Sequence, residues 1–238
     1  MRKRILVIAV VLLVAPLALA LDPLGPPTAG LRQGQVSLGL DYAKSQTDIK
    51  VKEEGYGKWT ERDSVSTKTY ANLGYGVCDS WEVFGRLGGS MAEGEYLIYE
   101  GRYGMAWGLG TKVSFYQDAN VKWGALFQIS WNQSKEQWYE GGDEYGYDKV
   151  KFYEYQIAVG PTYKLTDKVS IYGGPFYNCL DGEVSCDEDG KWGDIKNPRR
   201  IGGYIGGQFA VNDNLVLNAE YQLSSDESGM GLQLVWKF

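Results

Sequence analysis

From residue 36 to the last residue, bulky apolar side chains recur at every second position. Val36, Leu38, Leu40 and Tyr42 alternate with Ser37, Gly39 and Asp41. Further on, Tyr103, Met105, Trp107 and Leu109 alternate with Gly104, Ala106, Gly108 and Gly110. Trp123, Ala125, Phe127, Ile129 and Trp131 do the same against Gly124, Gln128 and Ser130, as do Met230, Leu232, Leu234, Trp236 and Phe238 against Gly231, Gln233, Val235 and Lys237. A period of two is the signature of a β-strand. About ten such segments of roughly ten residues follow one another, the length a tilted strand needs to cross a bilayer. The brief connection at 225–228 leaves eight strands as the alternative.

The connections alternate in length. Asp79-Ser80, Asp118-Ala119-Asn120, Thr166-Asp167-Lys168 and Asn212-Asp213-Asn214 are tight turns with Asp/Asn chemistry. Between them lie long polar stretches, at 45–63, 133–149 and 181–198, which read as loops. Turns at one end and loops at the other, with both termini on the turn side, describe an even-stranded, closed up-and-down barrel.

The second face of each strand decides between a soluble and a membrane barrel. It is mostly Gly, Ser, Gln and Asn, with the single charges Arg86, Lys112, Glu154 and Glu220. A face in water would carry more Lys and Glu and less Gly. A narrow lumen suits this composition, because Gly makes room for the inward aromatics Tyr70, Phe84, Tyr172, Phe176 and Tyr204. The apolar face then meets lipid, and Trp and Tyr near the strand ends form interfacial girdles. The fold class is therefore all-β, a closed antiparallel transmembrane β-barrel.

Composition supports export and narrows the chemistry. Arg2-Lys3-Arg4, the apolar run from Ile5 to Leu17 and Ala18-Leu19-Ala20 make residues 1–20 a cleaved signal peptide. Residues 21–34 are Pro- and Gly-rich, a flexible or plug-like segment, and 35–238 are the barrel domain. The formal net charge of −6 becomes about −9 without the basic leader, which argues against a nucleic-acid partner. The chain has no His, so the usual general base and the usual metal ligand are missing. Of the three cysteines, Cys179 and Cys186 could staple a loop in an oxidising compartment.

The exported leader, the alternating strands and the Trp236-Lys237-Phe238 ending resemble the small outer-membrane β-barrel proteins of the OmpA/OmpX-like, porin-type superfamily. The segment from Asp79 to Gly88 resembles a turn-plus-strand of the same group. The resemblance implies residence in the outer membrane of a Gram-negative-type bacterium, in contact with its lipid. It also implies that Met230, Leu232, Leu234, Trp236 and Phe238 are read by the barrel-assembly machinery. The barrel enzymes of this kind rely on a catalytic His, which this chain lacks, so the resemblance implies no enzymatic activity and no cofactor.

Three constellations remain. Glu154 and Glu220 against Arg86 and Lys112 form a charge cluster inside the barrel, either an ion path or mutual neutralisation. Trp59, Trp138, Tyr139, Tyr145, Tyr147 and Trp192 lie in the polar stretches and are candidate contacts for an extracellular ligand. Asp187-Glu188-Asp189-Gly190 with Asp194 is acidic but lacks EF-hand spacing, so no metal site is assigned. The functional reading is an envelope-structural or adhesive barrel acting through its loops. The alternatives are a narrow porin-like channel and a soluble periplasmic barrel holding an apolar ligand.

Overall fold

A computed structural model describes residues 22–53, 57–94, 99–100, 102–140, 143–186, 190–225 and 227–238; the leader at 1–20 lies outside them. The strand segments are β1 (Val36–Glu53), β2 (Gly57–Cys78), β3 (Trp81–Gly94), β4 (Tyr99–Glu100), β5 (Arg102–Gln117), β6 (Val121–Glu140), β7 (Asp143–Lys164), β8 (Val169–Cys186), β9 (Gly190–Ala210), β10 (Leu215–Leu223) and β11 (Glu227–Lys237). The two-residue β4 and the long β5 both pair with β3 and occupy one position in the wall. Each strand is antiparallel to its neighbours, and β1 closes the ring on β11, from Ser37 opposite Lys237 to Thr47 opposite Glu227. The result is a closed barrel ten strands around, with no free sheet edge in the apolar zone.

The two faces separate as the period of two requires. Outward Leu40 is 63% exposed and Leu109 56%, whereas inward Tyr70 and Lys68 are 1%. Along β7 the outward row runs Tyr153, Tyr155, Ile157, Val159, Pro161, Tyr163, an apolar stretch bounded by tyrosines. Its ten steps span about 33 Å of strand, which at a usual tilt is about 25 Å of membrane depth. An exterior this apolar rules out the soluble-barrel alternative.

The five aromatics expected to face inward obey one rule. Each lies directly across a strand pair from a glycine: Tyr70 from Gly88, Phe84 from Gly110, Tyr172 from Gly206, Phe176 from Gly202 and Tyr204 from Gly174. A Cβ on Gly110, Gly202 or Gly206 would enter the ring of its partner. The glycines thus set the space that the rings fill in the narrow lumen.

The tight turns form as their chemistry predicts. The Asp118 carboxylate accepts from the amides of Asn120 and Val121 at 2.9 Å each, which holds its pKa below the usual carboxylate value. Asn212 caps the amides of Asn214 and Leu215 at 2.9 and 2.8 Å, and Thr166 caps Lys168 and Val169.

The other end differs from the expected loops. The described parts of the stretches 45–63, 133–149 and 181–198 continue as strands, with β1 and β2, β6 and β7, and β8 and β9 paired along them. Their polarity reflects water on the outer face, while the inner face keeps an apolar cluster of Val150, Phe152, Leu180, Val184 and Ile195. Among the described hairpins at this end β10–β11 is the shortest, closing where the Ser224 amide donates to the Glu227 carbonyl at 2.7 Å. Beyond it β9 reaches β1 directly, Lys196 to Gly193 opposite Lys50 to Glu53, and the wall narrows from ten strands to eight.

Gly206 and Gly207 give a direct test, because a methyl on Gly207 meets nothing within 4 Å. Gly206→Ala is expected to destabilise the barrel by about 1–3 kcal/mol through overpacking against Tyr172, with Gly207→Ala within about 0.5 kcal/mol of the parent. Urea unfolding from lipid vesicles measures both.

Candidate functional site

Residues 22–31 thread the lumen as a plug, mostly buried and held by wall side chains, which is the plug-like rather than the flexible form of the segment 21–34. A segment without a sheet partner must satisfy its backbone groups from the wall. Pro23, Pro26 and Pro27 ease the problem, having no N–H to satisfy. Gly25, at φ 66°, turns the chain so that the amides of Leu24 and Gly25 both donate to the Glu220 carboxylate at 2.7 Å. Arg86 donates to the Pro23 carbonyl at 2.7 Å, and Gln222 to the Asp22 carbonyl at 3.0 Å.

Asp22 ends the described plug in the middle of the barrel. Its carboxylate lies 2.9 Å from Lys68 Nζ, and Lys68 also donates to Glu154. The Tyr70 hydroxyl reaches both Asp22, at 3.3 Å, and Asn132, at 2.8 Å. Arg86 pairs with Asp41 at 3.2 Å and lies over the Phe84 ring at 4.9 Å. Glu220 needs no cation, since the Tyr172 hydroxyl and the Gln222 amide complete its hydrogen bonds with the two plug amides.

A second set of contacts secures the plug toward the turns. Thr28 meets Thr162 at 2.9 Å, and the Ala29 amide donates to Ser114 at 2.9 Å. Glu82 accepts from the amides of Gly30 and Leu31, while Lys122 and Lys237 donate to the carbonyls of Ala29 and Gly30. The backbone then joins the sheet, the Gly34 amide donating to the Gly76 carbonyl at 2.8 Å. A cavity of about 500 Å³ remains beside the plug at this end.

Above Asp22 the apolar cluster fills the narrowed barrel. At the seam where the short hairpin stops, Arg200 donates to Thr47 at 2.6 Å and to the Asp48 carbonyl at 2.7 Å, and lies 3.5 Å from Glu227. The lumen is thus occupied at three levels: apolar cluster, ionic layer and plug. At the plug level Leu24 packs among Leu126, Ala158, Tyr172, Phe176 and Tyr204, so the plug itself takes up the apolar part of the lumen.

Arg86, Lys112, Glu154 and Glu220 all point inward, as their parity predicts. They do not form the expected mutual cluster. Arg86 pairs with Asp41, Glu154 with Lys68, Lys112 approaches Glu82 at 3.8 Å, and Glu220 binds the plug. Asp22, Asp41, Lys68, Glu82, Lys122 and Arg200 were not anticipated as partners. Strand parity places Asp41 with Gly39, Lys68 with Tyr70 and Glu82 with Phe84, and is the signal that locates them.

The Cys179–Cys186 staple is not formed: Cys179 is a free thiol, and both residues lie on β8. Seven residues of extended chain separate their Cα atoms by about 23 Å, far beyond disulfide reach. Trp59, Trp138, Tyr139, Tyr145, Tyr147 and Trp192 lie on the extended hairpins rather than on loops, and their side chains lie outside the described residues. The acidic stretch at 187–189 also lies outside them. Leu232, Leu234, Trp236 and Phe238 face outward on or just past β11, with Trp236 and Phe238 stacked at 5.9 Å; Met230 is half-buried in the same row.

The apolar belt, the closed ring and the asymmetric ends define a transmembrane β-barrel of the outer-membrane type. Among solved structures, the attachment invasion locus protein Ail of Yersinia pestis is 17% identical, with 87% of this chain and 100% of that one covered and a TM-score of 0.37. The outer-membrane protease OmpT of Escherichia coli is 11% identical, with 86% and 97% covered and a TM-score of 0.47. Neisserial surface protein A is 13% identical, with 87% and 100% covered and a TM-score of 0.38. No protein-family model matches the chain, and no curated protein matches it in sequence.

Lys68 tests the ionic layer. Lys68→Met leaves Asp22 and Glu154 without their shared cation and is expected to cost about 3–5 kcal/mol in vesicle-based urea unfolding. Adding Glu154→Gln is expected to recover most of the loss.

Proposed function

We propose that the protein is a non-enzymatic outer-membrane barrel that works at the cell surface, its extended hairpins presenting a structural or adhesive platform while its lumen stays sealed. The observation that carries this reading is the occupation of the lumen at three successive levels, which leaves the outer extension as the working surface. From Lys151 to Asp143, β7 continues for about 26 Å of strand beyond the apolar belt. The candidate aromatics Trp138, Tyr139, Tyr145 and Tyr147 lie on this hairpin. Aromatic side chains among polar ones are the usual anchors of a protein or glycan contact. The absence of His and the filled lumen both weigh against enzymatic use.

The mature chain begins after Ala20 in this account, and the outward row of Met230, Leu232, Leu234, Trp236 and Phe238 serves as the assembly signal. Lipid contacts the belt, and an extracellular ligand contacts the hairpins.

Two measurements test the proposal. In planar bilayers the full-length protein is expected to give no stable conductance steps; sustained open steps would favour the channel. Trimming 137–146 to a short turn is expected to leave the heat-induced gel shift intact and to abolish binding of expressing cells to immobilised host-matrix proteins and glycans. Undiminished binding after trimming would remove the hairpin from the account.

A further inference from the structure

We propose that the turn-end cavity is a binding site for a small multivalent oxyanion, a phosphate or carboxylate compound entering from the side of the tight turns. This inference is independent of the surface role. The cavity of about 500 Å³ is bounded by the plug and the lower wall, and Lys112, Lys122, Lys237 and Arg32 all line it. Its acidic lining groups are two, Asp79 and Glu82, against these four cations, and both accept from plug-segment amides. Glu82 accepts from the amides of Gly30 and Leu31, at 2.7 and 3.2 Å, and Asp79 accepts from the Gln33 amide at 2.9 Å.

Lys122 and Lys237 carry the argument. Each donates to a neutral plug carbonyl, at 2.6 and 2.9 Å, and neither has an ion-pair partner among the described residues. Lys112 has only the 3.8 Å approach to Glu82. A chain of net charge −6 therefore gathers a cationic excess around one open-mouthed space. Ammonium groups repel one another where water is restricted, and a single anion with two or more charges relieves several of these repulsions together. A lysine ammonium spends only one of its three N–H donors on a carbonyl, so the others are available to oxygen. The volume lies in the range of small-molecule sites. Asn72 and Asn218 add amide groups to the same lining.

The test is calorimetric titration of pyrophosphate, with citrate as the carboxylate arm, into the detergent-solubilised barrel at fixed ionic strength. Saturable one-site binding is expected for at least one of the two, and none for acetate. Lys122→Gln with Lys237→Gln keeps donors at both positions but removes the charges, and is expected to weaken binding at least tenfold. The corresponding Arg pair is expected to retain it. Gln117→Glu, at the exposed rim of the cavity, changes charge without touching the plug and is expected to weaken binding several-fold even should the Gln pair fail to fold. Lys164→Gln, which removes an exposed ion pair with Asp167, is expected to change nothing. No saturable binding to the parent protein, or equal binding by Gln117→Glu and the Gln pair, overturns the proposal.

Discussion

A peptide segment threaded through a barrel has no neighbouring strand, so side chains of the wall must satisfy its amides and carbonyls. Much of the polar chemistry of this protein follows from that requirement. Glu220 and Glu82 each receive two consecutive plug amides, while Arg86, Gln222, Lys122 and Lys237 each donate to a plug carbonyl. These are charged or amide groups that a narrow apolar core would exclude. Their burial is tolerable because the plug, or the wall itself, supplies the partner.

The same requirement links the plug to the barrel's size. Ten strands enclose slightly more room than side chains alone fill, and residues 22–31 take up much of the difference. Where the wall narrows to eight strands, above the β10–β11 hairpin, no such segment is needed and Val150, Phe152, Leu180, Val184 and Ile195 pack directly. Arg200 lies at the change of gauge, joining β9 to β1 and β11 through Thr47, the Asp48 carbonyl and Glu227. Strand number, plug and seam are thus one construction.

Alternation and turn chemistry made the barrel legible in the sequence, because both are local. The glycine–aromatic pairing was also legible in kind, though its registers, such as Phe84 opposite Gly110, depend on the strand offset. The outer stretches were misread as loops because both their faces are polar along parts of their length, which hides the period of two that water on one side would otherwise leave visible. Charge partners were least legible. Parity turns Arg86, Lys112, Glu154 and Glu220 inward, but which groups meet is set by strands far apart in sequence and by Asp22 on the plug. The proposed Cys179–Cys186 link failed for a related reason: proximity in sequence, on an extended strand, is distance in space.

Amide hydrogen exchange at Leu24 and Gly25, in the processed protein reconstituted into lipid, tests the plugged lumen most directly. These two amides have no sheet partner and depend wholly on Glu220. The account predicts protection comparable to that of the β5 and β6 amides of the barrel wall. Exchange at the rate of an unstructured peptide, with the wall still protected, would show that the segment lies outside the lumen and would contradict it.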